Sequence, residues 1–239
     1  MLTELRRAAA PGVSGAARWR LAGLAGLVLL LTILDIDHHG VLWHFDGTVS
    51  RQMLDWDLRD SHTATMWLSV LIRFGNRFYV LLVSIPVTLY LTWRARRSEY
   101  LVRYLVALIA LTVAVYALKF TVTRYPPVVF ADRTNRSISF PSGHLANTLL
   151  VPGLLAWSAV RAGAPLWLCR ALQVLRLVAP LAVLVGMTLL DYHWISDFIG
   201  GACLGVLLLL LVLLPVWAGV GSRIDRALGR RNSIGTSSG

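Results

Sequence analysis

Charge is scarce in this chain, and so are cysteine and lysine. Only 15% of its 239 residues are charged, against roughly 25% in an average soluble domain, which excludes an ordinary water-soluble globule. The two cysteines, Cys169 and Cys203, have no CxxC partner, so neither a disulfide framework nor a zinc site is indicated. Lysine occurs once, at Lys119, and every other basic residue is arginine. That bias, with abundant alanine, points to a GC-rich bacterial genome. Apolar residues make up 56% of the chain, with mean hydropathy +0.65, and they are bunched into runs approaching the ~20 residues needed to cross a bilayer.

Six such runs are present: Leu21 to Leu34, Phe78 to Trp93, Tyr100 to Leu118, Leu145 to Val160, Leu172 to Leu190 and Ile195 to Trp217. They predict an all-α, polytopic membrane protein with six transmembrane helices. The first run follows four arginines and precedes Asp35-Ile36-Asp37-His38-His39 with no small-residue cleavage site, which reads as an uncleaved signal-anchor. Thr63 to Phe74 is apolar but short, and suits an interfacial helix. There is no internal repeat and no dividing linker, so residues 1–231 read as one domain and residues 232–239 as a disordered polar tail.

The net charge of +11 would suggest nucleic acid in a soluble protein. Here the basic residues sit at the ends of apolar runs, so the partner they indicate is the lipid bilayer and no nucleic acid is expected. Fifteen of the basic residues fall on one side of the six spans and eight on the other, and nine of the twelve acidic residues share the second side. The arginine-rich side is predicted cytoplasmic, with both termini on it. The loops after spans one, three and five then face outward.

Three outward positions carry chemistry that a simple anchor does not need. They are Lys119 at the end of span three, Pro141-Ser142-Gly143-His144 at the start of span four, and Asp191 to Asp197 entering span six. Placing an ionisable group inside a membrane span costs about 2.5–3.5 kcal/mol on insertion scales, so such groups mark function by default. His193 and Asp197 are four apart, so a sixth span that begins near Tyr192 stacks them on one helical face, where the carboxylate can hold the imidazole. Ser142 and Gly143 form a helix start, where unpaired N–H groups and the helix dipole favour an anion. Two histidines, an acid, a helix N-terminus and the single lysine together describe a phosphate site.

Lys119, then Pro141-Ser142-Gly143-His144, then His193-Trp194-Ile195-Ser196-Asp197 resemble, in order and spacing, the type 2 phosphatidic acid phosphatase (PAP2) or lipid phosphate phosphatase superfamily. The resemblance implies a six-helix membrane core with the site at the ends of helices three, four and six. It implies a lipid phosphate substrate, either a polyprenyl or a glycerolipid phosphate or pyrophosphate. It makes His193 the nucleophile, Asp197 its orienting acid and His144 the donor of a proton to the leaving alkoxide. Ser142, the Gly143 amide and Lys119 would hold the phosphoryl oxygens. No metal or other cofactor is expected.

The sequence departs from the family pattern at two arginines. The Arg-Pro that follows the first-motif lysine falls on Pro126-Pro127, with Arg124 two residues early, and the Ser-Arg that opens the third motif falls on Gly186-Met187. Arginine is the natural bidentate grip on phosphate, so Arg124, Arg133 and Arg136 are the candidate replacements. Alternatively, the substrate is a phosphodiester with less charge to neutralise, as in the similar sphingomyelin-synthase-like phosphotransferases, or the fold only binds lipid. Elsewhere, His38, His39, His44, Asp35, Asp37 and Asp46 lack regular ligand spacing and read as a wet polar loop. Trp43, Trp56, Trp67, Trp93, Trp194 and Trp217 lie near span ends and read as interfacial belts. Gly201 and Gly205 form a GxxxG expected to pack closely on another helix.

Overall fold

A computed structural model describes residues 15–127 and 138–229. Arg133, Arg136 and the 232–239 tail lie outside the described residues. Within them the chain is all-helical: α1 (Gly15–Asp37), α2 (Val41–Trp56), α3 (His62–Arg73), α4 (Arg77–Ala95), α5 (Glu99–Val122), α6 (Gly143–Arg161), α7 (Leu166–Leu189), α8 (Ile195–Val212) and α9 (Val216–Ala227). Five of these, α1, α4, α5, α7 and α8, are long and apolar enough to cross a membrane. The chain is a multi-pass membrane protein.

The remaining expected span, α6, is the axle of the bundle. It packs against α4, α5, α7 and α8, and its Ala146, Leu150, Val151, Leu154 and Ala156 are all but sealed from the surface. Enclosure explains why α6 is the least lipid-like of the long helices. Its Asn147, Thr148 and Ser158 are buried, and they are tolerated because partners are at hand: Asn147 Nδ2 donates to Gly75 O at 3.1 Å and Thr148 Oγ1 to Leu145 O at 2.8 Å. A polar group in this environment costs little once it is hydrogen-bonded. The lipid-facing apolar side chains lie on the outer helices, among them Leu27, Leu82, Ile109 and Leu181.

The expected GxxxG contact is present and sets the height of α6 against α8. A β-carbon on Gly201 would stand 2.5 Å from Ser142 O, and one on Gly205 2.9 Å from Ala146 O. Only hydrogen fits between these two backbones, so the first turn of α6 is held directly against α8.

Two expectations on segment boundaries are corrected. The sixth apolar run is not one helix: α8 ends at Val212 and α9 begins at Val216 after Pro215, a residue with no N–H to continue the ladder. Arg103 donates to the carbonyls of Val212 and, at 3.0 Å, of Leu214, closing the end of α8. Nor is the first outer segment a wet loop. Residues 41–56 form α2, whose inward face carries Asp46, Ser50 and Met53, and Asp35 Oδ2 accepts the Trp43 N–H at 3.0 Å near the start of that helix. Thr63 to Phe74 is helical as expected, forming α3, which lies along α7.

Candidate active site

The start of α8 sets the first half of the site. Asp197 occupies the third helical position, where a carboxylate meets the unpaired N–H groups and positive end of the helix dipole. Its Oδ2 accepts the Trp194 N–H at 3.1 Å and lies 2.9 Å from His193 Nδ1. Asp197 is fully buried and the His193 side chain is 11% exposed. A carboxylate only accepts, so this contact puts the proton on Nδ1 and leaves the Nε2 lone pair available.

Behind Asp197 is a buried charge cluster that brings α2 into the site. Arg124, just past the end of α5, places Nη2 2.8 Å from Asp46 Oδ2 and Nη1 3.5 Å from Asp197 Oδ1, and it also donates to Ser196 Oγ. Ser196 in turn gives its hydroxyl to Asp46 Oδ2 and its N–H to Asp46 Oδ1, the latter at 3.0 Å. The guanidinium lies between two indoles, 4.9 Å from the Trp43 ring centre and 4.8 Å from that of Trp194. Asp46 is 1% exposed and Arg124 6%. Two carboxylates thus share one arginine in a dry setting, an arrangement that survives burial only because nearly every oxygen has a donor.

The second half of the site is the start of α6. Ser142 is fully buried; its Oγ accepts from Leu145 N as the helix cap and its N–H donates to Asp197 O at 3.0 Å. That bond ties the phosphate-motif turn to the histidine-bearing turn. Gly143 and His144 follow at the first two helical positions, whose amides have no carbonyl one turn back and suit an anion. His144 feels the charge of both His193 and Lys119, and Lys119 that of Asp197, so all four groups share one locality. Lys119 Nζ also donates to Ile138 O.

Asp191 lies at the edge of this locality, in the link between α7 and α8. It adopts a left-handed backbone with φ of 53°, and Ser50 Oγ of α2 donates to its Oδ2 at 3.1 Å. Burial pushes its carboxyl up to about 6, against the opposing effects of the Ser50 hydrogen bond and the Arg59 charge.

Of the residues singled out in the sequence, His193, Asp197, His144, Gly143 and Lys119 are brought together. Arg124 also arrives, with its two terminal nitrogens on Asp46, Asp197 and Ser196. Ser142 Oγ accepts from Leu145 N as the cap of α6, which leaves its O–H available to donate. Trp43 and Trp194 are stacked on Arg124, whereas Trp56, Trp67 and Trp93 are exposed. Asp46 and Ser196 were missed as site residues. The available signal was the spacing of Asp46, Ser50 and Met53 along one face of α2, a helical stripe disguised by its polarity.

No curated protein matches the sequence. The chain superposes on the crystal structure of a transmembrane PAP2-type phosphatidylglycerolphosphate phosphatase from Bacillus subtilis with a TM-score of 0.67 and 22% identity, covering 86% of this chain and 98% of that one. The two share a fold. The PAP2 superfamily model matches residues 100–219, half of the chain, and the matched stretch contains both histidines, the lysine and Asp197; the chain belongs to the PAP2 superfamily.

Proposed function

We propose that this protein is a membrane phosphatase that hydrolyses a lipid phosphate, a polyprenyl or glycerolipid phosphate or pyrophosphate, through a phosphohistidine. The observation that carries this reading is the His193–Asp197 pair at 2.9 Å beside the anion-ready start of α6. With its Nδ1 proton held by Asp197, His193 attacks phosphorus through Nε2. A nitrogen–phosphorus bond forms, the bond to the lipid oxygen breaks, and His144 gives that oxygen a proton. Water then attacks the phosphohistidine, returning a proton to His144 and releasing phosphate. Splitting the displacement this way replaces one difficult step with two easier ones. The Gly143 and His144 amides and Lys119 stabilise the charge on the transferring oxygens, while Arg124 and Asp46 position Asp197.

The sidedness of the charges supports an active site at the extracytoplasmic face of a bacterial membrane, with both termini cytoplasmic. Residues 1–231 act as one domain in this reading, since Asp46 and Asp191 tie the N-terminal helices to the site.

A second reading is favoured by the commitment of Arg124 to Asp46 and Asp197. A phosphodiester carries less charge than a monoester and asks less of an arginine clamp, so the same phosphohistidine chemistry would pass a phospho-head group to an alcohol instead of to water. Purified wild type and His193→Ala are to be incubated with lipid phosphates and phosphodiesters, with free phosphate and lipid products read together. Phosphate release that His193→Ala abolishes is the expected result. A head group moved to an alcohol, without phosphate, establishes the transferase. Turnover undiminished in His193→Ala overturns both.

A further inference from the structure

A second charged cavity lies at the opposite end of the bundle. It has a volume of about 360 Å³ and is lined by Arg18 of α1, Arg97 of the α4–α5 link, Arg103 of α5 and Arg161 of α6, around Trp157. The helices that begin at the catalytic end reach it only at their far termini. α6 has 19 residues and α8 18, so the separation is about 27 Å at 1.5 Å per residue.

The four arginines differ in what they do. Arg103 is 3% exposed and structural: besides closing α8, it lies 3.7 Å from Glu99 Oε1 and 4.9 Å from the Trp157 ring centre. Arg161 stands at 5.0 Å from the same ring. Both acids of the cavity are otherwise engaged. Glu99 pairs with Arg103, and Asp225 accepts from Ser98 N at 3.1 Å and from Ser98 Oγ at 2.7 Å. Among the described residues, Arg18, Arg97 and Arg161 have no carboxylate within ion-pair distance. Three guanidinium groups from three separate elements therefore face one concavity whose lining, with Arg103, sets four arginines against the two carboxylates of Glu99 and Asp225. Like charges drawn to one concavity repel, and a ligand with several oxygens relieves that repulsion through fork-like contacts.

We infer that this cavity binds a phosphate-bearing anion, with Arg97 and Arg161 as its principal ligands and Arg18 as the third. Its position at a span terminus suits the phosphate of an anionic phospholipid whose chains stay in the bilayer, and the same guanidinium groups would accept free phosphate. This site is separate from the catalytic one. Its occupancy does not depend on turnover, so a binding measurement tests it whatever reaction His193 performs.

The test compares wild type, Arg97→Gln/Arg161→Gln and Arg170→Gln/Arg176→Gln. The last pair removes the same charge from the exposed surface of α7, outside the cavity. Each protein is reconstituted in nanodiscs of phosphatidylcholine with phosphatidylglycerol, and retained lipid is counted by native mass spectrometry. In parallel, thermal unfolding in detergent is followed with inorganic phosphate against chloride at equal ionic strength. Each arginine near a membrane surface contributes about fivefold to anionic lipid binding, so the cavity variant should retain phosphatidylglycerol at least about tenfold more weakly, with the α7 variant close to wild type. Loss of lipid retention confined to the cavity variant identifies a lipid headgroup. A phosphate-dependent rise in unfolding temperature, present in wild type and absent from the cavity variant, identifies free phosphate. Equal behaviour of the two double variants in both arms overturns the inference. Unfolding temperatures without ligand that do not fall below wild type show that the cavity variant is folded.

Discussion

Asp46 and Arg124, 78 positions apart in sequence, meet at 2.8 Å directly behind the carboxylate that holds His193. Arg124 alone would be drawn wholly onto Asp197, and Asp197 alone would be a buried charge without an adequate counterion. Asp46 shares the guanidinium with Asp197 and, through Ser196, fastens the first turn of α8.

Removing either member should therefore act on catalysis through geometry. Asp46→Ala and Arg124→Gln are each expected to cost about 3 kcal/mol in stability, because a buried ion pair broken from one side strands the other charge. Turnover should fall through kcat with KM little changed, since neither group is assigned a phosphate contact. Asp46→Asn, which keeps an acceptor for the Ser196 N–H, should lose less than Asp46→Ala. Steady-state kinetics on the three variants, with unfolding monitored in detergent, tests this; a rise in KM for Arg124→Gln with unchanged kcat would instead make Arg124 a substrate ligand.

Lys119 should show the opposite pattern. In Lys119→Ala the cation near His144 and Asp197 is gone, and KM for a phosphate ester is expected to rise about tenfold, in line with the loss of one charge-assisted contact. A Lys119→Ala enzyme with wild-type KM would remove Lys119 from the phosphate site.

Asp191 carries a pH signature. Its carboxyl titrates at about 6 in the fold against an ordinary value of 3.8, so the folded state binds a proton more tightly than the unfolded one. The stabilising contribution is complete below the unfolded value and is lost as pH rises through about 6. Asp191→Asn imitates the protonated acid and can still accept from Ser50. It should be more stable than wild type by on the order of 1 kcal/mol at pH 8, with the difference vanishing near pH 3. Equal stability differences at both pH values would contradict this.

The contact between α6 and α8 makes a steric prediction. Gly201→Ala sets a methyl group 2.5 Å from Ser142 O, a backbone atom that cannot swing aside, and should cost about 1–3 kcal/mol together with most of the activity. Gly219→Ala, with nothing within 4 Å of the new carbon, should be neutral or slightly stabilising in its helix. Unfolding temperatures of the two variants, measured side by side, decide whether tight packing at Gly201 is the cause.

Much of this was legible in the sequence because the relevant signals are local. Apolar runs announced the outer helices, and His193 with Asp197, four apart, announced their own pairing. α6 could be placed by its apolar run, yet its central position could not, since Asn147, Thr148 and Ser158 look unfavourable until their partners are known. α2 was hidden for a related reason. Its inward face is Asp46, Ser50 and Met53, and a search for apolar stripes passes over a helix whose business is with a buried arginine. The contacts of Arg124 depend on that helix, so a reading that leaves residues 41–56 as a loop has no counter-charge to offer it. The split after Val212 had a local signal in Pro215, while its closure by Arg103 of α5 is non-local.

Asp46 also constrains the order in which the molecule can be completed. Synthesis runs from the N-terminus, so Asp46 is made 78 residues before Arg124 and 150 residues before Ser196. Throughout that interval its carboxylate must remain hydrated at the membrane surface, because its partners do not yet exist. The charge cluster closes only when the last apolar run has been delivered, which makes assembly of the site a late event in synthesis of the chain.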